Sequence, residues 1–204
     1  MFMKRFAVSL LMFLAFYTCA SAQRSDVGFV AGVTFSNGFT GVPACEALPV
    51  CPSSGHLSIE PGFTFEGSYA YRLADFKVAS VHLELPLVFS PSRKANTSLL
   101  NRDTFSTFFF TPSVKLKLLP GAGVSPFVSA GGGLAHFGEN STSNSTGAFQ
   151  LGGGLDFKTH LPVLGFRIEA RDFISGRPGT SSFAFTTSDH VQHIFVGGGI
   201  TLHF

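Results

Sequence analysis

The chain has 204 residues, of which 45% are hydrophobic and only 13% are charged, well below the charged share of a typical soluble domain. Outside the N-terminus it contains no run of about 18 apolar residues, which excludes a bundle of membrane-spanning helices. An apolar composition without apolar runs indicates that apolar and polar residues alternate, as in the strands of a membrane β-barrel.

The first residues have the three parts of a secretory signal peptide. Lys4 and Arg5 precede an apolar stretch over 6–16, and an Ala-x-Ala cleavage motif follows at 20–22. We therefore predict a cleaved signal peptide over 1–22 and one mature domain over 23–204. The segment is too short for a membrane anchor. Its removal leaves equal numbers of basic and acidic side chains, so the charge gives no support for a nucleic-acid partner.

Three cysteines occur in the sequence, and Cys19 would leave with the signal peptide. A lipoprotein signal ending at Cys19 is the alternative there, but the residues before it fit that motif poorly. Cys45 and Cys51 remain in a Pro- and Gly-containing segment of an exported chain, which predicts a disulfide that closes a small loop. A zinc site with nearby His56 is the alternative, although zinc sites usually have closer spacing and more ligands. We predict no metal site and no cofactor.

Eight segments of the mature chain alternate apolar and polar residues with a period of two, which predicts eight β-strands. They are 27–35, 57–71, 76–89, 105–119, 126–137, 148–158, 165–174 and 190–204. The third begins irregularly, which predicts a bulge or a later start. Pro61, Pro86 and Pro112 fall inside predicted strands, where proline is normally confined to edges and bulges.

The predicted connections alternate between long and short along the whole chain. The long ones are 36–56, 90–104, 138–147 and 175–189, and the short ones are 72–75, 120–125 and 159–164. Outer-membrane barrels have this pattern, with short periplasmic turns and longer extracellular loops. A soluble eight-stranded barrel is the alternative, because periodicity alone does not say which face is inside. Arg93, Lys94 and Arg102 fall in a predicted outer loop, where they are solvated or contact anionic lipopolysaccharide.

One face of the predicted strands collects nearly all of their charge. Five acidic and five basic residues lie on it: Glu60, Glu66, Glu84, Asp156, Glu169, Lys115, Lys117, Lys158, Arg167 and Arg171. Eight strands enclose an interior just wide enough for side chains, so these charges would pair and plug it. The opposite, apolar face would contact lipid. Phe109 and Phe195 fall on the inner face by the same count.

The last predicted strand has Gly198, Ile200, Leu202 and the terminal Phe204 at alternate positions. With the signal peptide, the eight strands and the alternating loops, this ending resembles the small outer-membrane β-barrel family, similar to the membrane domain of outer membrane protein A and its short relatives. The resemblance implies an all-β, eight-stranded antiparallel up-and-down transmembrane barrel in the bacterial outer membrane. It also implies that these four residues are the signal read by the barrel-assembly machinery, and that the lumen charges form a salt-bridge network.

For function, the leading hypothesis is a monomeric, non-enzymatic outer-membrane protein with a structural or adhesion-type role. Its partners would be outer-membrane lipid and lipopolysaccharide. A narrow pore is the first alternative. The second is a lipid A-modifying enzyme, which some barrels of this size resemble, with a Ser/His pair such as His56 and Ser58 or the triplet at 188–190. Chance neighbours among many Ser and seven His explain such pairs equally well, so no catalytic residue is assigned.

Overall fold

The computed structural model of the chain describes residues 24–37, 39–43, 55–97, 103–139, 142–176, 183–184 and 190–204. The predicted signal peptide and the predicted disulfide between Cys45 and Cys51 lie outside these residues. Twelve strands are present in them: β1 (Ser25–Ser36), β2 (Phe39–Pro43), β3 (Gly55–Ile59), β4 (Gly62–Asp75), β5 (Ala79–Thr97), β6 (Asp103–Phe110), β7 (Ser113–Leu118), β8 (Val124–Glu139), β9 (Thr142–Lys158), β10 (Leu164–Ser175), β11 (Phe183–Ala184) and β12 (Val191–His203). Within the described ranges, no helix has the length and apolar character needed to span a bilayer.

The strands form a closed antiparallel barrel with eight strand positions. Going round it, β1 is followed by β4, β5, the pair β6 and β7, β8, β9, β10 and β12, and each position pairs with the next. Pairing of β1 with β12, from Asp26 opposite His203 to Ser36 opposite His193, closes the ring. Closure removes every unpaired sheet edge from the barrel wall. The prediction of an eight-stranded antiparallel barrel is confirmed.

The two ends of the barrel differ. At one end, which we call the turn end, three short turns at 76–78, 119–123 and 159–163 lie beside the start of β1 and the end of β12. At the other, the hairpin end, strands continue well past the predicted boundaries. β5 extends to Thr97, β8 ends only at Glu139, and β9 begins already at Thr142. In addition, β2 and β3 form a hairpin beside β5. The predicted loops 90–104 and 138–147 are therefore too long, because backbone pairing continues where apolar alternation stops.

Prolines explain the breaks within two barrel strands. Glu60 and Pro61 separate β3 from β4, and Thr111 and Pro112 separate β6 from β7. Proline has no N–H to donate to a ladder, so pairing stops there. The break at Glu60 and Pro61 also shifts the alternation, and Ile59 is buried inside rather than facing lipid as the uninterrupted pattern predicts. Pro86 lies within β5, where it pairs with Ser68 of β4.

The outward face is a continuous apolar surface. Phe63 is 75% exposed, and Val128 and Ile168 are also exposed although they lie in the middle of their strands. The inward face carries buried polar and charged side chains together with a few aromatic rings. A soluble barrel has the reverse arrangement, so this surface matches a bilayer. The outward face also carries a polar pair near the hairpin end, where Asp172 accepts a hydrogen bond from Gln192 at 2.6 Å.

Glycine permits the close approach of the first and last barrel strands. A Cβ atom on Gly199 would overlap the carbonyl oxygen of Phe29, and one on Gly32 would overlap that of Val196. No side chain other than hydrogen fits at either place without movement of the neighbouring backbone. These two residues therefore set the curvature at the seam between β1 and β12.

Candidate functional site in the lumen

Eight buried ionisable side chains fill the half of the lumen nearer the turn end, and we call them the charged layer. They are Glu66, Glu84, Lys115, Lys117, Asp156, Arg167, Glu169 and Arg171. Four are acidic and four are basic, and they come from β4, β5, β7, β9 and β10. Alternation within each strand places them on one face, and closure of the barrel brings those faces together. Buried charges at such density require partners, because desolvation of an unpaired ion is very costly.

Asp156 joins two cations at the lower edge of the charged layer, which is the edge nearer the turn end. It lies directly opposite Arg167 in the pairing of β9 with β10. Arg167 donates through Nε at 2.7 Å and through Nη2 at 3.2 Å, while Lys117 Nζ lies 2.7 Å from the same carboxylate. A bidentate guanidinium–carboxylate pair fixes both side chains in orientation as well as in charge.

Glu84 occupies the centre of the charged layer. Its carboxylate accepts from Lys115 Nζ at 3.1 Å and from Arg171 Nη1 at 3.0 Å, with Arg167 Nη1 at 3.5 Å. Below it, the Lys115 ammonium lies 3.9 Å from the centre of the Phe127 ring. The ring face provides further electrostatic stabilisation for a desolvated cation.

Arg171 holds the upper edge of the charged layer. It donates to both oxygens of Glu169, at 3.2 and 3.1 Å, and its Nη2 lies 2.8 Å from Glu66. Since it also reaches Glu84, one guanidinium contacts three carboxylates. The charge is therefore unevenly spread, with acids in excess at the top of the layer and bases in excess at the bottom.

Above the charged layer, towards the hairpin end, apolar side chains cross the lumen, and we call them the aromatic layer. Its members are Val30, Val88, Phe109, Ala135, Phe137, Ala148, Phe173 and Phe195. The rings of Phe109 and Phe173 stack with their centres 4.5 Å apart, and Phe137 meets Phe109 edge to face at 6.3 Å. Offset and edge-to-face contacts add to the stabilisation from buried area. These side chains fill the lumen at a second level.

A third group, at the hairpin side of the aromatic layer, was not predicted from the sequence. Arg93 Nη1 lies 3.2 Å from His193 Nδ1, and Arg93 Nη2 donates to the Thr34 carbonyl at 3.3 Å. The hydroxyl of Ser36 is in hydrogen-bond contact with the same His193 nitrogen. The prediction that Arg93 lies in a loop is wrong. A shift in strand register between Ser90 and Arg93 turns its side chain into the barrel.

Two of the ten predicted lumen charges lie away from the charged layer. Glu60 occupies the break before β4 and is only partly buried, because Pro61 ends the ladder there. Lys158 is the last residue of β9, where the lumen opens at the turn end, and its ammonium donates to the Pro120 carbonyl. Alternation predicts the face on which a strand residue lies but not its depth in the barrel. Lys158 was therefore predicted in the lumen although it lies at the open end of it.

The other residues singled out from the sequence have these positions. Gly198, Ile200 and Leu202 face outward on β12, and Phe204 follows it, joined to Ser25 by two backbone hydrogen bonds of 2.9 Å. His190 is exposed beside the start of β12. The side chains of His56 and Ser58, and residues 188 and 189, lie outside what the structure describes.

Comparison with known proteins relates the chain to others by fold. No family model and no curated protein sequence matches it. Among solved structures, Neisserial surface protein A is similar with a TM-score of 0.57 and 11% identity, covering 88% of this chain and 97% of that one. The outer membrane protein OprG from Pseudomonas aeruginosa has a TM-score of 0.52 and 11% identity, covering 89% and 97%.

A weaker likeness, with a TM-score of 0.45 and 13% identity, is to the outer membrane enzyme PagL, over 84% of this chain and 97% of that one. A likeness at this level of identity and TM-score has no bearing on activity. The first two likenesses concern the fold, and they agree with the closed eight-stranded barrel and its apolar outer surface. Together these features support the predicted location in the bacterial outer membrane. The chain has the fold of the small eight-stranded outer-membrane β-barrel proteins.

Proposed function

We propose that this protein is a closed outer-membrane scaffold whose hairpin end presents surfaces for contact outside the cell. The observation that carries the proposal is the filling of the lumen by buried side chains at two levels. Arg167 and Arg171 in the charged layer are each 1% exposed, and Phe173 in the aromatic layer is 0% exposed. Eight strands leave room only for side chains, and here those side chains interlock. A filled barrel of this kind supports a structural or adhesive role more than transport.

The hairpin end supplies the contact surface in this proposal. About 9–11 residues suffice for a tilted strand to cross the bilayer, whereas β5, β8 and β9 contain 19, 16 and 17 residues. The excess continues as paired backbone beyond the apolar belt, where His136 and Ser145 hydrogen-bond across β8 and β9 at 2.8 Å. Paired strands hold their outer side chains in a fixed arrangement, which lowers the entropy lost on binding.

The proposed partners follow from this orientation. Short turns face the periplasm in outer-membrane barrels, so the turn end is assigned to the periplasm and the hairpin end to the cell surface. Outer-membrane lipid surrounds the apolar belt, and lipopolysaccharide surrounds the extended hairpins. Phe204 and the alternate residues before it serve as the signal for barrel assembly, and the protein acts as a monomer without a cofactor.

The adhesive role is tested by shortening one hairpin. Replacement of residues 138–143 by Asn-Gly leaves Phe137 paired with Asn144 across a two-residue turn. Cells that carry this variant should aggregate and adhere to surfaces less than cells with the wild-type chain. The control variant instead substitutes Leu119, Gly121 and Gly123, the exposed residues of the turn 119–123 at the opposite end. Equal adhesion by the shortened variant, at equal amounts of folded barrel, would contradict the proposal.

A pore is the first alternative, and planar-bilayer recording distinguishes it. A closed scaffold gives no steady single-channel conductance. Steady conductance that is raised or abolished by Glu84→Ala or Arg167→Ala would instead show that ions pass the charged layer.

An enzyme is the second alternative, and the contact between Ser36 and His193 is the observation that favours it. A nucleophilic serine needs a base within hydrogen-bond reach and a group that orients the base. Here the buried His193 would be the base. Its Nε2, which would contact the orienting group, has no hydrogen-bond partner among the described residues. Mass spectrometry of lipid A from cells with the wild-type chain and with Ser36→Ala tests this role. A change in acyl number that depends on Ser36 would replace the scaffold proposal with an enzymatic one.

A further inference from the structure

A cavity of about 280 Å³ opens at the turn end, below the charged layer. The ends of seven barrel strands surround it, and five of them contribute ionisable side chains: Asp26, Arg72, Lys117, Lys158 and His203. The turns at 119–123 and 159–163 complete the lining, with the exposed Leu161 at the rim. A space of this size admits a small polar group, and it lies at the level where the barrel meets the membrane surface.

Positive charge predominates in the lining of this cavity. Arg72, Lys117 and Lys158 are cationic, and among the described residues Asp26 is the one carboxylate in the lining. That carboxylate is already engaged, because it pairs with His203 Nδ1 at 2.8 Å. A concave surface lined by cations attracts anions and concentrates them at the site.

Acidic partners near the cavity do not use up the donors of these cations. Lys117 shares its carboxylate, Asp156, with Arg167. Lys158 donates to a neutral carbonyl, that of Pro120. An ammonium has three N–H donors, so both lysines keep donors beyond these contacts.

Arg72 contributes a further donor. It pairs with Asp75 at 3.0 Å through Nη1, and its Nε has no hydrogen-bond partner among the described residues. A guanidinium binds a phosphate through two adjacent N–H groups. Arg72 is therefore equipped to orient a tetrahedral oxyanion, while the two lysines act as point charges beside it.

The charged layer reinforces this arrangement. Its lower edge has two cations on Asp156, whereas its upper edge has three carboxylates on Arg171. The excess of positive charge thus faces the cavity, and the excess of negative charge faces the middle of the barrel. We propose that the cavity at the turn end binds a phosphate group. The group comes either from a phospholipid headgroup of the inner leaflet or from soluble phosphate in the periplasm.

The test uses the full chain folded in a neutral maltoside detergent, which contains no phosphate. Inorganic phosphate and short-chain phosphatidylglycerol are titrated separately and followed by ³¹P NMR. We expect saturable binding of at least one of them. The double variant Arg72→Gln with Lys158→Gln should weaken it by about tenfold or more, since two charge-assisted contacts are lost.

Lys77→Gln is the matched control, because Lys77 is an exposed cation in the turn 76–78 that does not line the cavity. It should bind as the wild type does. Saturation by inorganic phosphate identifies a soluble anion as a ligand, and saturation by phosphatidylglycerol alone identifies a headgroup site. Three results would overturn the proposal: no saturation by either probe, a double variant that binds like the wild type, or an equal loss with Lys77→Gln. Urea unfolding of each variant shows that the barrel is intact.

Discussion

The charged layer and the aromatic layer lie one above the other in the same lumen, and they fill it by different physical means. In the first, desolvated ions are stable only because each meets an opposite charge, as Arg171 does with three carboxylates. In the second, rings such as Phe109 and Phe173 are stable because they leave water and pack. A defect in the charged layer leaves an unpaired ion, whereas one in the aromatic layer leaves a gap.

This difference explains why the two layers tolerate change differently. Removal of a whole group of ions together with their partners can be neutral, while removal of a single partner is severe. The side chains of the aromatic layer are not paired in this way, so the stability lost on substitution depends on the side-chain volume removed. The predictions below compare these responses, beginning with the most damaging change.

Arg171→Met should cause the largest loss. It keeps most of the side-chain volume but leaves Glu66, Glu84 and Glu169 without their shared cation. We expect the free energy of unfolding to fall by about 3–5 kcal/mol, measured by urea titration in detergent. Adding Glu66→Gln and Glu169→Gln to the same chain should recover much of this loss. If the single variant is as stable as the wild type, the ion pairs do not hold the layer together.

Phe109→Ala should cost a similar or slightly smaller amount, about 3–4 kcal/mol. The change removes a stacked ring and leaves a cavity between Phe173 and Phe137. The barrel should still carry no current in bilayers, because the charged layer below remains closed. Phe63→Ala is the control, since that ring is 75% exposed on the outer face. A steady current through Phe109→Ala would show that the aromatic layer alone blocks the lumen.

Gly32→Ala should have an intermediate effect, about 1–3 kcal/mol. Its Cβ would overlap the backbone of β12 at Val196, so the seam between β1 and β12 must move. Gly67→Ala serves as the control, because no atom lies within 4 Å of the Cβ that it would add. Folding yield and the urea midpoint measure the effect. Equal stability of the two variants would mean that the seam is not closely packed.

Asp75→Ala should have the smallest effect, about 0–1 kcal/mol. Its carboxylate pairs with Arg72 at 3.0 Å, which is a distance found in the charged layer, but the Asp75 side chain is 52% exposed. The comparison with Arg171→Met isolates burial as the cause of the difference. A loss comparable to that of Arg171→Met would indicate that distance, rather than desolvation, determines the contribution of these pairs.

Alternation in the sequence is sufficient to predict the barrel and the inner face of single strands. On β10, Arg167, Glu169 and Arg171 occur at steps of two, and the structure places all three in the lumen. What alternation does not contain is register between strands. Lys117 meets Asp156 only because of the register in which β7 pairs with β8 and β8 pairs with β9. Alternation alone therefore could not predict which acidic and basic side chains pair within the charged layer.

Other differences arise where the period of two is interrupted. Arg93 enters the lumen because the register shifts just before it, and Ile59 does so because Glu60 and Pro61 interrupt the strand. Such shifts are local responses to proline and to neighbouring strands, and a count of alternate residues passes over them. The strand extensions at the hairpin end were missed for a related reason, since polar side chains there carry no apolar signal.

The pairing of β1 with β12 also determines when the protein can finish folding. Asp26 meets His203 across 177 residues of chain, so the ring cannot close before the last strand has been made and has crossed to the first. Contacts this distant in sequence are slow to form. Until then both strands are open edges that can pair with other chains. During assembly of this barrel, ring closure therefore competes with aggregation. The glycines at the seam favour closure because they allow β1 and β12 to approach closely.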